Sequence, residues 1–128
     1  RMSTKKILLV DDMGGVRRSV AHLLRQAGHD VTEAQDGIEA LRLLGTTSYD
    51  LVITDILMPG KDGSEVINWL HGQIKHPRII AMSGGGANST AVQAISVARD
   101  KADAILLKPF GRNELMGAVS RTLGEDAA

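Results

Sequence analysis

The sequence predicts a doubly wound α/β fold, with five parallel strands in one sheet and helices on both of its faces. Two observations carry this expectation. Short apolar runs recur five times along the 128 residues, and each is followed by a segment whose apolar residues fall three or four apart, so strand and helix alternate to the end of the chain. Strands separated by helices pair in parallel through right-handed crossovers, which place helices over both faces of the sheet.

The elements follow in order. Residues 6–11 read as a strand that ends in acid; Val16, Val20, Leu23, Leu24 and Ala27 then keep helical spacing up to Gly28, a suitable residue just past a helix end. Residues 29–34, β-branched at Val31 and Thr32, form the second strand. Asp36-Gly37 is expected to turn, and Ile38, Leu41 and Leu44 to make one face of a short helix. Residues 50–55 are apolar from Leu51 to Ile53, as a strand covered on both faces requires. A loop through Pro59-Gly60 and Asp62-Gly63 leads to a helix with Val66, Ile67 and Leu70 on its inner side. Residues 78–82 give a fourth strand and residues 83–86 a glycine-rich loop. Asn88 or Ser89 opens a helix whose inner stripe is Ala91, Ala94, Ile95 and Ala98. Residues 104–107 form the last strand, stopped by Lys108-Pro109-Phe110. Leu115, Met116, Val119 and Leu123 mark the final helix, and residues 124–128 a short tail.

Composition narrows the function classes. At 43% apolar and 23% charged residues, the chain lies well away from the compositions of disordered segments. Basic and acidic residues number 15 each, so no surplus positive field exists to hold a nucleic-acid backbone, and direct nucleic-acid binding is not expected. No cysteine is present, which removes disulfides and Cys-based zinc sites and suits a reducing cytoplasm. The apolar runs fall far short of the ~20 residues needed to cross a bilayer, so no membrane insertion is expected. Arg1 precedes Met2, and Met2 reads as the natural start. The five units are expected to account for residues 5–123, and no separate output domain is expected within these 128 residues.

In an open parallel sheet, ligands gather at the carboxyl ends of the strands. Those ends carry Asp11 and Asp12, Asp55, Ser83 and Lys108. Three carboxylates in one pocket repel one another unless a cation compensates. Oxygen donors without His or Cys favour Mg²⁺, which keeps waters and leaves room for a phosphate oxygen. Lys108 adds positive charge and Ser83 a hydroxyl. Such a set suits phosphoryl transfer, with Asp55 as the candidate nucleophile.

These residues resemble the receiver domains of response regulators in bacterial two-component signalling, the CheY-like family. The resemblance spans residues 5–123 and rests on Asp11-Asp12, the run from Asp55-Ile-Leu-Met-Pro through Asp62-Gly63, Ser83 followed by small residues, and Lys108-Pro109-Phe110. It implies a flavodoxin-like strand order of 2-1-3-4-5. It implies that Asp55 is the phosphoacceptor. Asp12, Asp55 and the backbone carbonyl of Leu57 would bind Mg²⁺, with Asp11 assisting directly or through water, and Lys108 would contact the phosphoryl group. A cis Lys108-Pro109 bond is implied as well. The implied donor is a phosphohistidine on a sensor histidine kinase or a histidine phosphotransfer protein. The implied output is a conformational change read by a downstream protein, with no catalysis beyond the domain's own phosphorylation and dephosphorylation.

The chain departs from the family where many members carry an aromatic switch residue three positions before the lysine: here it is Ile105. Signal passage through Ser83, the loop Gly84-Gly85-Gly86 and the following helix is the expectation instead. Blander readings exist for each residue. Asp12 could merely favour a helix N-terminus, Lys108 could be a solubilising charge, and Ser83 a turn former; the company each keeps argues for function. The glycine triplet lacks P-loop and dinucleotide spacing. His22, His29, His71 and His76 have no ligand spacing and are expected exposed or partly packed. Among rival functions, an aspartyl-nucleophile phosphatase needs an acid two residues after its nucleophile, where Leu57 stands. A flavodoxin-like carrier would place a phosphate against Asp11-Asp12, which repel it. A receiver-like module that only binds partners would not need the full acidic set.

Overall fold

A run of strand-forming residues that must be covered on both faces has its helices placed for it, and the described helices lie two on each side of the sheet. The structure is a computed structural model that describes residues 4–56, 63–84 and 101–124. Its strands are β1 (Lys6–Val10), β2 (Asp30–Ala34), β3 (Leu51–Asp55), β4 (Arg78–Ser83) and β5 (Ala104–Leu107). All neighbours pair in parallel, in the order β2-β1-β3-β4-β5, as expected from the resemblance. The described helices are α1 (Gly14–Gln26), α2 (Gly37–Leu44), α3 (Gly63–His71) and α4 (Arg112–Leu123).

Alternation along each strand sorts side chains to two cores. Ile7, Leu9, Ile53, Ile80 and Met82 pack with Val20, Ala21 and Leu24 of α1 and Leu115, Ala118 and Val119 of α4. Leu8, Val10, Val52, Ile79 and Ala81 face the other way, onto Ala40 of α2 and Val66, Ile67 and Leu70 of α3. The inner stripe expected for α3 is therefore the observed one. Ile105 packs partly buried against this second core.

Three local expectations change. Asp36-Gly37 starts a helix instead of forming a free turn: the Asp36 carboxylate accepts the Glu39 N–H at 2.8 Å and caps α2. Ile38 is 62% exposed, because the inward set of α2 is Gly37, Ala40, Leu41 and Leu44, spaced i, i+3, i+4, i+7. A stripe built on 38, 41 and 44 drifts around the helix by the difference between 3.0 and 3.6 residues per turn. His29 is buried; it follows Gly28, whose φ of 94° turns the chain from α1 into β2, and its Nδ1 accepts the Lys5 N–H at 3.2 Å. The expected helix opened by Asn88 or Ser89, the loop from residue 57 to 62 and the tail from residue 125 lie outside the described residues. Trp69, half-exposed on α3, lines a cavity of about 300 Å³ with Tyr49 and Leu44. Among the described residues, no helix is long and apolar enough to cross a membrane.

Candidate functional site

β1 and β3 are adjacent and in register, Val10 opposite Thr54, so the chain leaves the sheet with Asp11 beside Asp55. β4 and β5 bring Ser83 opposite Leu107, which sets Lys108 at the same edge. The parallel order thus gathers residues that are 97 positions apart in sequence. Lys108 Nζ donates to Asp11 Oδ2 at 2.9 Å and to Asp55 Oδ2 at 3.0 Å. One carboxylate oxygen each from Asp11, Asp12 and Asp55 lies within 4.8 Å of the other two, a grouping that could hold a metal ion. Asp11 and Asp55 are buried, whereas Asp12 is exposed at the mouth of the site.

Every polar atom of Asp11 is engaged. Its N–H donates to the Ala34 carbonyl at 3.1 Å, its carbonyl accepts from Arg17 Nη1 at 2.9 Å, and its Oδ1 accepts the Met13 N–H at 3.0 Å. The last bond also serves the start of α1, whose N-cap, Met13, offers no side-chain acceptor. Asp55 closes β3, and Thr54 Oγ1 donates to the Asp55 carbonyl at 3.0 Å. Ser83 is buried at the end of β4, and its carbonyl accepts the Lys108 N–H at 2.7 Å. The Lys108-Pro109 bond is cis, as the resemblance implied.

Burial works against the Lys108 ammonium and is the largest single influence on it, but hydrogen bonds to Asp11 and Asp55, together with their charges, outweigh it and hold its pKa above the usual lysine value. The lysine is therefore a fixed cation lying between two buried acids. A cavity of about 380 Å³ opens beside it, between Gly15, Val16, Ser19 and Leu23 of α1 and Pro109-Phe110. Of the residues singled out in the sequence, Asp11, Asp12, Asp55, Ser83 and Lys108 all stand at this edge, while Leu57 lies outside the described residues. Arg17, paired with Glu33 at 3.1 Å, also reaches the site's backbone at the Asp11 carbonyl, and neither residue stands out in the sequence. An Arg in the first turn of an amphipathic helix gives no sequence signal of its own.

The fold and this edge define a class: a doubly wound α/β domain whose strand ends carry three carboxylates and a bridging lysine. A family profile for the response regulator receiver domain matches residues 7–120, and the chain belongs to that family. It is 32% identical over 116 residues to the response regulator protein FleR of Pseudomonas aeruginosa, covering 91% of this chain and 24% of that one. It is 35% identical over 127 residues to the response regulator MprA of Mycobacterium tuberculosis, covering 96% of this chain and 54% of that protein. The chain thus spans between about a quarter and a half of the length of these relatives. Among solved structures it is similar to the signal receiver domain of a histidine kinase from Syntrophus aciditrophicus, with 29% identity, a TM-score of 0.85 and coverage of 94% of this chain and 91% of that one. It is also similar to the chemotaxis response regulator CheY4 of Vibrio cholerae, with 30% identity, a TM-score of 0.79 and coverage of 94% and 99%.

Proposed function

We propose that residues 5–123 act as a receiver domain that takes a phosphoryl group onto Asp55 in a Mg²⁺-dependent reaction and signals by a change of conformation. The observation that carries this reading is the Lys108 bridge between Asp11 and Asp55, because it joins a nucleophile, a buried acid and a fixed cation at one strand edge. The donor set fits Mg²⁺: three carboxylates within 4.8 Å supply hard oxygen ligands, and one of them is exposed to solvent where the ion would keep its waters. Asp12 and Asp55 would hold the ion with the Leu57 carbonyl, and Asp11 would assist. When bound, Mg²⁺ offsets the charge of the carboxylates and of the transferred phosphoryl oxygens.

In the transfer, an Asp55 carboxylate oxygen forms a bond to phosphorus as the phosphorus–nitrogen bond of a phosphohistidine breaks, and the imidazole of the donor leaves. Lys108, already within hydrogen-bond reach of Asp55, then pairs with the new phosphoryl oxygens, and Ser83 at the neighbouring strand end supplies a hydroxyl toward them. The donor is a sensor histidine kinase or histidine phosphotransfer protein, reached through the opening beside Lys108, and the output is a protein target in the cytoplasm. With Ile105 packed where the resemblance leads one to expect an aromatic switch in many members, Ser83 and the glycine loop after it are the proposed route of the signal.

The test is intact mass after incubation with acetyl phosphate and Mg²⁺. Wild type should gain roughly 80 Da, one phosphoryl group, and Asp55→Ala should gain nothing. Equal labelling of the two proteins removes Asp55 from the role.

A further inference from the structure

The two acids of the β1–α1 junction are held from behind by a side chain that touches none of their carboxylate oxygens. Arg17, in the first turns of α1, donates from Nη1 to the Asp11 carbonyl at 2.9 Å and from Nε to Glu33 Oε1 at 3.1 Å. Glu33 sits one residue before the end of β2, the strand whose Ala34 carbonyl accepts the Asp11 N–H at 3.1 Å. Its second carboxylate oxygen accepts from Arg25 Nη1 at 3.3 Å, and Arg25 Nη2 donates to the Val31 carbonyl at 2.9 Å. Both Arg17 and Glu33 are largely buried, with side chains 16% and 24% exposed.

The peptide unit joining Asp11 to Asp12 carries the carbonyl that Arg17 grips, so the guanidinium fixes the rotation of the bond on which Asp12 hangs. Asp12 has no such anchor of its own: it is exposed, whereas the Asp11 carboxylate is pinned by the Met13 N–H and by Lys108. We infer that Arg17 is a positioning residue, which sets the spacing of the Asp12 carboxylate from Asp11 and Asp55 by clamping the Asp11 carbonyl to Glu33, and so tunes the affinity of the site for a divalent cation.

The inference rests on the proposed Mg²⁺ site and adds to it a residue that would never contact the ion. Its physical signature is a sign. A guanidinium close to a cation site lowers affinity by charge alone, so removing it should tighten binding if charge were all that mattered. A clamp has the opposite effect, because a ligand that must be ordered on binding costs affinity. Arg17 reaches the carbonyl from Nη1 and the carboxylate from Nε, two donors held apart in one rigid plane, and the single Nζ of a shorter lysine does not occupy both places.

Mg²⁺ is titrated calorimetrically into the full chain with no phosphodonor present. Arg17→Met and Arg17→Lys should each weaken binding about tenfold, the scale expected for groups that orient metal ligands. Val119→Ala, a core truncation on α4 away from this edge, should leave the affinity unchanged and so separates positioning from loss of stability. If Arg17→Met does not fold, Arg17→Lys, which keeps charge and helix propensity, reads the same loss. Unchanged or tighter binding by either variant, or an equal loss in Val119→Ala, overturns the inference alone. A wild type that takes up no Mg²⁺ overturns both the functional reading and the inference.

Discussion

Carboxylates stand at both ends of the sheet, and the two ends use them differently. At the end where the strands begin, Asp50 and Asp103 act singly: Asp50 Oδ2 accepts the Lys6 N–H at 2.8 Å, and Asp103 Oδ2 accepts the Ile79 N–H at 2.8 Å. Each accepts a backbone N–H at the start of a strand, the first of β1 and the second of β4. At the end where the strands finish, Asp11, Asp12 and Asp55 share one small space, and two of them share one lysine. A carboxylate that satisfies one backbone donor supports the fold. Three carboxylates that crowd together work against it, and their grouping makes sense as a cation site.

The largest effect that would break this contrast is expected at Lys108. Lys108→Met leaves buried Asp11 and Asp55 without their shared cation and should cost about 3 kcal/mol at neutral pH, as breaking a buried pair does. Urea unfolding with and without Mg²⁺ checks it, and the ion should restore part of the loss. The same pair of proteins reports the pH dependence. Because the folded pKa of Lys108 lies above its unfolded value, its contribution is fully present below the ordinary lysine value, about 10.4, and fades as pH rises through the higher folded value. The stability gap between wild type and Lys108→Met should therefore hold from pH 7 to 9 and shrink in strongly alkaline buffer. A gap that closes already near neutrality would show that the lysine is not held as a cation.

Asp12→Asn sharpens the contrast through its sign. Removing the exposed third charge should raise the melting midpoint of the metal-free protein by a few degrees while weakening Mg²⁺ binding, since repulsion is relieved and a ligand is lost. The smallest effect belongs to the other end. Asp103→Ala loses the bond to the Ile79 N–H and a contact with Arg78 at 3.5 Å, which should cost about 1 kcal/mol and leave phosphoryl labelling at Asp55 unchanged. A fall in labelling would mean that the two ends are coupled.

The site was legible where it depends on strand ends. Asp55 and Lys108 each close a short, mostly apolar strand, and the change from apolar to charged residues marks where a strand covered on both faces stops. Glu33 and Arg17 were not legible, because their meeting depends on how α1 lies across β2, and no spacing within either element encodes that angle. Ile38 shows the same limit on a smaller scale: three apolar residues three apart resemble a face, but which of them turns inward depends on the phase of the helix, set here by its cap at Asp36.

By itself the sequence determined the alternation of strand and helix, the two-sided burial of the sheet and the identity of the residues left at the strand ends, because these follow from local periodicity and side-chain chemistry. Tertiary structure decided the distances. That Lys108 reaches Asp11 across 97 positions, at 2.9 Å, and that Arg17 grips the carbonyl behind it, result from the parallel register and the seating of α1 on the sheet. Packing between distant segments fixes both, and no single segment carries that information.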